Sequence, residues 1–344
     1  MEIGPLSVEV IPFALSFREP YVTATGTLTR RESVLLRLKD ENGIIGLGEG
    51  VPMSLRGGDG LGTVVSQLDA WADDPGLFPS SAPARCAVRI AVADLVARRT
   101  QVPLWKHLEP AAAPRSLRCN ATITAGPAPD VVRQCETWAV DGFDVFKLKA
   151  GPEEAVVLTA AVRAALGDQV AIRLDANGSW GESAAHLLRD LEPFGVELVE
   201  EPVTGLSGLA GLARDSAVPL VADESVNDPD EASEAARLGS CVAATVKLAK
   251  IGGLDVALGG GLPTYLSSAL DGPVGIAAAA HAAQTLDPSR PWPDIAHGLA
   301  TERLFVEELS AQGPLVDLNR LDPPANGFGL GVELDEKVLA ACRL

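Results

Sequence analysis

The chain has 344 residues, 47% of them hydrophobic, and carries 46 Asp and Glu against 28 Lys and Arg, a formal charge of −18. That acidity argues against a nucleic-acid or anionic-membrane partner, since both need clustered Lys and Arg. Five cysteines without a Cys-x-x-Cys pair fit neither a disulfide framework nor a zinc knuckle. Residues 1–10 hold no basic-then-apolar leader, and no apolar run reaches the ~20 residues of a membrane span. The expectation is a soluble, cytoplasmic protein whose partner is a small molecule. Its length suits a barrel of ~250 residues plus a smaller domain.

In chain order, residues 6–11, 34–39 and 44–50 predict antiparallel strands rich in aliphatic and β-branched residues, with Asp40-Glu41-Asn42-Gly43 turning between the last two. Residues 16–26 predict a polar loop, interrupted by Pro20 and Gly26, of the kind that carries specificity. Residues 64–71 and 84–99 have helical spacing, the second with Val88, Ala91, Val92, Leu95 and Val96 on one stripe. Residues 1–115 therefore predict an α+β capping domain.

From Leu117 the pattern becomes strand, loop, helix, repeated, starting with LRCNATI and a helix over 130–141. Five apolar segments then end in charge: DVFKLKAG at Lys147 and Lys149, AIRLDANG at Asp175, ELVEEP at Glu200 and Glu201, PLVADES at Asp223 and Glu224, and ATVKLAKIGG at Lys247 and Lys250. From Lys149 the steps to Asp175, Glu200, Asp223 and Lys247 are 26, 25, 23 and 24 residues, each the length of one βα unit. Parallel barrel strands point one way, so these residues converge on one face. A strand at 263–268 and a short one at 294–297 complete an α/β fold, a modified TIM barrel of (β/α)7β type over residues 116–315. Residues 316–344 are expected to pack back on the capping domain.

One interval is short. Only sixteen residues separate Lys247 from Thr264, five of them glycine, where a crossover needs roughly 10 to 12 or more including its helix. The sixth helix is stunted, replaced by extended chain, or lost from the sequence.

Asp175, Glu200 and Asp223 form an all-oxygen set that suits Mg²⁺, with Mn²⁺ as a substitute. Lys147 and Lys149 stand on the strand before them and Lys247 on the strand after. Such a set serves the removal of a proton next to a carboxylate: the cation steadies the doubly charged enediolate, and a lysine depressed by cation and burial takes the proton. Glu201 and Lys250 are explained equally well by a surface ion pair or cap. Arg173 shares the face of Asp175 and is either a structural ion pair or a group near substrate. His281 reads as a satisfied helix residue, His297 as a strand-end residue near or away from the site, and Gly259-Gly260-Gly261 as a connector, since no Lys-Ser or Lys-Thr follows it.

At these residues the chain resembles the enolase superfamily, in its muconate-lactonizing branch. The likeness runs through TGTLTRRESVLLRLKDENGIIGLGEGVP, the Lys147-x-Lys149 pair, RLDAN, VEEP, ADES and VKLAKIGG. It implies Asp175, Glu200 and Asp223 as Mg²⁺ ligands, Lys149 and Lys247 as the acid/base pair, and Lys147, Asn177 and Glu224 as groups holding the ligands. Within that branch CNATITAGP, YLSSALDGPVGIAAAAHAA and AHGLATERLF look most like the o-succinylbenzoate synthases of menaquinone biosynthesis. This narrower likeness implies a lyase acting by syn dehydration of 2-succinyl-6-hydroxy-2,4-cyclohexadiene-1-carboxylate, with Asn120, Ser267 and Ser268 orienting the succinyl chain. An N-succinylamino acid racemase, a dipeptide epimerase or a cycloisomerase on the same scaffold is the alternative. A dipeptide epimerase is expected to show Asp-x-Asp at the eighth strand, where Asp294 stands alone.

Overall fold

The computed structural model describes residues 6–23, 26–54, 57–287, 289, 294–324 and 327–344. A long antiparallel hairpin of β1 (Leu6–Thr23) and β2 (Gly26–Asp40) opens the chain, and β2 pairs onward with β3 (Ile45–Gly50). Of the loop expected over 16–26, residues 16–23 instead continue β1 and Gly26 opens β2, while Ala24 and Thr25 lie outside the described residues. The register slips between Ser16 and Tyr21 and resumes with Tyr21 opposite Leu28. Because β1 is an edge strand and Pro20 falls inside the slip, its missing N–H removes no ladder bond.

Helices α1 (Leu61–Asp73) and α2 (Ala82–Arg99) cover this sheet. Alternate β2 residues Val34, Leu36 and Leu38 pack against Val64, Leu68 and Leu95. The close seating of α2 depends on bare backbone in β3: a Cβ on Gly48 would stand 2.0 Å from the Ala87 carbonyl oxygen.

After α3 (Leu104–Leu108), β4 (Leu117–Arg118) and β5 (Ala121–Ile123) divide what reads as one strand. The chain then alternates α4 (Ala128–Val140), β6 (Val145–Lys149), α5 (Ala155–Leu166), β7 (Ala171–Asp175), α6 (Ala184–Leu191), β8 (Leu198–Glu200), α7 (Leu206–Ala213), β9 (Leu220–Ala222), α8 (Pro229–Leu238) and β10 (Ala243–Val246). A four-residue α9 (Leu248–Ile251), β11 (Thr264–Leu266) and the wholly buried α10 (Pro273–Ala282) follow. The chain ends with β12 (Val316–Asp317), β13 (Arg320–Leu321) and α11 (Glu336–Cys342).

Strands β5 to β11 form one parallel sheet in sequence order. It closes through residues 297–298, where His297 bridges Cys119 and Gly298 bridges Ser267, both in parallel sense. The eighth strand is thus reduced to two residues. β4 pairs antiparallel with β13, outside the barrel. At the short crossover α9 is one turn, and non-helical chain with left-handed Gly252, Gly259, Gly260 and Gly261 leads on to β11. Arg89 of α2 donates to the Gly252 carbonyl there. At the end of the chain Arg343 bridges Phe13, and Glu336 forms an ion pair with Arg37. Among the described residues no helix is long and apolar enough to cross a membrane.

Candidate active site

Register places the charges side by side. Lys149 pairs with Asp175 across β6 and β7, and Asp175 with Glu200 across β7 and β8. Lys147 Nζ lies 2.7 Å from Glu200 Oε1 and 3.1 Å from Asp175 Oδ2. Lys149 Nζ donates to Asp175 Oδ2 at 2.7 Å and to Asn177 Oδ1 at 2.9 Å. On the far side, Lys247 is paired with Asp223 Oδ2, and Lys250 reaches Asp223 Oδ1 at 3.1 Å. The second oxygen of Glu200 accepts from Thr245 Oγ1 at 3.1 Å and Tyr265 Oη at 2.9 Å.

Burial and charge oppose each other in this layer. Burial pushes Asp175 and Asp223 up, but the lysines override it: Lys147, Lys149 and Lys247 hold Asp175 below the usual carboxylate range, and Lys247, Lys250 and Lys147 do the same for Asp223. Burial pulls Lys247 down, and Asp223, Glu224 and Glu200 more than offset it, so its pKa lies above that of a free lysine. The depression expected from sequence is tied to a divalent cation on those oxygens; with carboxylates alone beside it, Lys247 is raised.

A cavity reaches this layer with Lys147, Lys149, Asp175 and Lys247 along its floor, and a second one touches it at Lys149, Asp175 and Asn177. In the first cavity Ser267 and Ser268 form a wall, and Tyr21 and Arg31 reach in from the first hairpin. Asn177, held at φ 47°, donates to Asp175 Oδ1 at 2.6 Å and lies 3.4 Å from Glu224 Oε1, linking both to Lys149. Asn120 does not reach the cavity: it is fully buried, donates to the Ala121 carbonyl and faces Arg173. It precedes β5 and so points into the barrel one layer too deep. Thr122, two residues along the same face, lines the cavity instead.

Arg173 also lies below the mouth, paired with Glu197, donating to the Ala296 carbonyl and stacked over Tyr265. His297 accepts from the Leu266 N–H through Nδ1, and burial beside Arg173 and Arg115 depresses it to about 3, so it acts as a neutral seam residue. His281 is satisfied as expected, between the Trp105 N–H and the Leu330 carbonyl.

Glu201 and Lys250 are not surface groups. Glu201 is buried at φ 44° and accepts from the Asp223 and Ser225 N–H groups, while Lys250 also donates to the Val226 and Thr245 carbonyls. The signal for Lys250 was its i,i+3 spacing from Lys247 on a single helical turn. Arg31 carries no comparable signal, because the lysines and Asp175 that share its cavity are more than a hundred residues away.

Among the described residues no three His, Cys, Asp or Glu side chains already surround one point as a metal cage; ammonium groups stand between the carboxylates. The donor chemistry still fits a hard divalent cation. Asp175, Glu200 and Asp223 offer only oxygen, are buried, and come from three consecutive strands.

The family model described as Enolase C-terminal domain-like matches residues 130–338. The chain belongs to the enolase superfamily. It is similar to muconate cycloisomerase 1 of Rhodococcus opacus, 29% identical over 371 aligned positions that cover 97% of each chain. Curated relatives of this superfamily member are muconate cycloisomerases and dipeptide epimerases. The solved muconate lactonizing enzyme from Pseudomonas fluorescens, complexed with muconolactone, superposes with a TM-score of 0.88 at 26% identity over 98% of each chain. A dipeptide epimerase from Enterococcus faecalis V583, complexed with Mg and L-Leu-L-Tyr, shares the fold with a TM-score of 0.85 at 23% identity, covering 95% of this chain and 98% of that one.

Proposed function

We propose that this chain ionises the carbon next to a carboxylate with the help of Mg²⁺ or Mn²⁺, Lys149 and Lys247 carrying the proton. The observation behind this reading is that both lysines line one cavity, each on a buried carboxylate of the same layer. Asp175, Glu200 and Asp223 would hold the cation, and Lys147, Asn177 and Glu224 would hold those carboxylates in place. A cation there lowers the cost of negative charge on carboxylate oxygens. The epimerase whose structure contains Mg supports that assignment by its shared fold.

Among reactions of this type, the sequence segments noted above favour syn dehydration of 2-succinyl-6-hydroxy-2,4-cyclohexadiene-1-carboxylate to o-succinylbenzoate. Lys149 Nζ takes the proton from the carboxylate-bearing carbon, leaving an enediolate. The electron pair then expels the neighbouring hydroxyl, Lys149 returns its proton to it, and water leaves as the ring becomes aromatic. Lys247 lends positive charge to the enediolate. Ser267 and Ser268 lie on the cavity wall where the succinyl chain would run. A second reading, racemisation of N-succinylamino acids, is favoured by having two lysines on the cavity, since inversion needs an acid for the opposite face.

The test is the rise of aromatic absorbance with Mg²⁺ present. Wild type turns over, Lys149→Ala loses at least 10³-fold in kcat with its circular dichroism unchanged, and chelator stops the reaction. No turnover by wild type, together with α-proton exchange of N-succinylamino acids in heavy water, would select the racemase instead. Retained activity in Lys149→Ala would remove it as the base.

A further inference from the structure

Arg31 is the first buried residue of β2, only 7% exposed, and it lines the cavity whose floor carries Lys149 and Lys247. Its Nη2 is anchored twice, to the Pro52 carbonyl at 2.6 Å and to the Ala269 carbonyl at 3.0 Å, which ties β2 to the loop after β11. Its Nε is buried and has no partner. A buried donor left without an acceptor is destabilising, so a guanidinium edge held this way calls for one.

Two buried acids lie nearby, but neither supplies it. Asp271 accepts from Ser268 Oγ and the Ala269 N–H, and Glu49 from the Gly272 and Gly275 N–H groups at the start of α10. Among the described residues Arg31 forms no ion pair. Burial pulls the pKa of the Arg31 guanidinium down, and Asp271 and Glu49 beside it offset that only in part, while the two carbonyls fix its plane.

We propose that Arg31 is a specificity-determining residue that receives a second carboxylate of the substrate, so that this chain acts on diacids. The inference rests on the reading that the first carboxylate lies at the lysine floor. A ligand filling the cavity then meets a cationic side chain at both ends, and the Nε–H left over once Nη2 is anchored can give a carboxylate one charge-assisted hydrogen bond. A zwitterionic dipeptide would bring its ammonium toward the guanidinium, which disfavours it.

The experiment is calorimetry with Mg²⁺ on two ligand pairs that differ only at the distal carboxylate. One pair is o-succinylbenzoate and 2-butyrylbenzoate; the other is N-succinylphenylglycine and N-butyrylphenylglycine. Wild type is expected to prefer the diacid by about 10- to 100-fold in at least one pair, the worth of one charge-assisted pairing. Arg31→Gln is expected to bring that preference within about threefold while monoacid affinity is unchanged. Arg31→Lys, which keeps the charge but lacks the planar edge, should lose about tenfold, and it decides the matter if Arg31→Gln does not fold.

Equal affinity for diacid and monoacid in both pairs, no binding of either diacid, or an undiminished preference in the arginine variants would each overturn the assignment. The two readings fail separately. Turnover of the cyclohexadiene without a diacid preference removes only Arg31, whereas a preference confined to the N-succinyl pair keeps Arg31 and removes the dehydratase.

Discussion

Glu201 shows how much of this site consists of residues that never touch the cavity. Its carboxylate collects the N–H of Asp223, the N–H of Ser225 and the Ser225 hydroxyl, and so fixes the turn from which Asp223 projects. Burial pushes it up to about 7, and those hydrogen bonds only partly counter the shift. Glu201→Ala leaves several buried donors without an acceptor, each unsatisfied group costing about 1–3 kcal/mol. The variant should therefore lose about 3 kcal/mol in urea unfolding, and its Mg²⁺ affinity should fall about 10- to 100-fold, as when a support of a metal ligand is removed. A normal Mg²⁺ titration with lowered stability would confine Glu201 to a structural role. The sequence offered only a doublet, Glu200-Glu201, in which the first residue enters the barrel and the second turns away from it. Which of the two acts on the site through backbone N–H groups depends on a left-handed φ that the residue type does not announce.

At the scale of elements, the strands with charged ends were legible because each couples an apolar run to a polar tip at a βα period. The register of β6 to β8 then follows directly, with Lys149, Asp175 and Glu200 in one row. Less was legible where tertiary contacts override local signals. β1 continues past Pro20 because its edge position tolerates the slip, and the eighth strand holds only two residues, too few for any periodicity. Asn120 lies one layer deeper than its place in LRCNATI suggests, because Cys119 and Asn120 join β4 to β5 and belong to neither. That seam has a measurable signature in His297. In the folded chain it is depressed to about 3 from the ordinary 6.5, first by burial and then by Arg173 and Arg115. Its contribution is complete above pH 6.5 and is lost as pH falls toward the folded value, because the unfolded chain takes up the proton first. Between pH 7 and pH 5 that amounts to about 2 kcal/mol. In paired urea titrations, His297→Gln should lose about that much less than wild type over the same interval. Equal losses would mean that His297 is protonated, or exposed, in the folded chain.

For the molecule as a whole, the balance of charge decides how a divalent cation acts. The chain carries a net −18, yet Lys147, Lys149, Lys247 and Lys250 gather at the barrel mouth beside Asp175, Glu200 and Asp223. A trio of bare carboxylates would repel strongly, and a cation would then rescue the fold. Here every carboxylate already has an ammonium partner, so adding Mg²⁺ relieves no such repulsion. Its stabilisation is limited to ordinary linkage, about 2.7 kcal/mol when the cation stands at 100 times its Kd. The melting temperature should accordingly rise by a few degrees and continue upward with the logarithm of Mg²⁺ concentration. Salt alone will also stabilise so acidic a chain by screening, so the comparison is with NaCl at matched ionic strength. Asp223→Asn removes the charge of one proposed ligand, the partner of two lysines, and it should leave only the response to NaCl. If Mg²⁺ and NaCl act alike on the wild-type chain, the carboxylate layer does not bind the cation. If Mg²⁺ raises the melting temperature equally in wild type and Asp223→Asn, the cation binds elsewhere on the acidic surface.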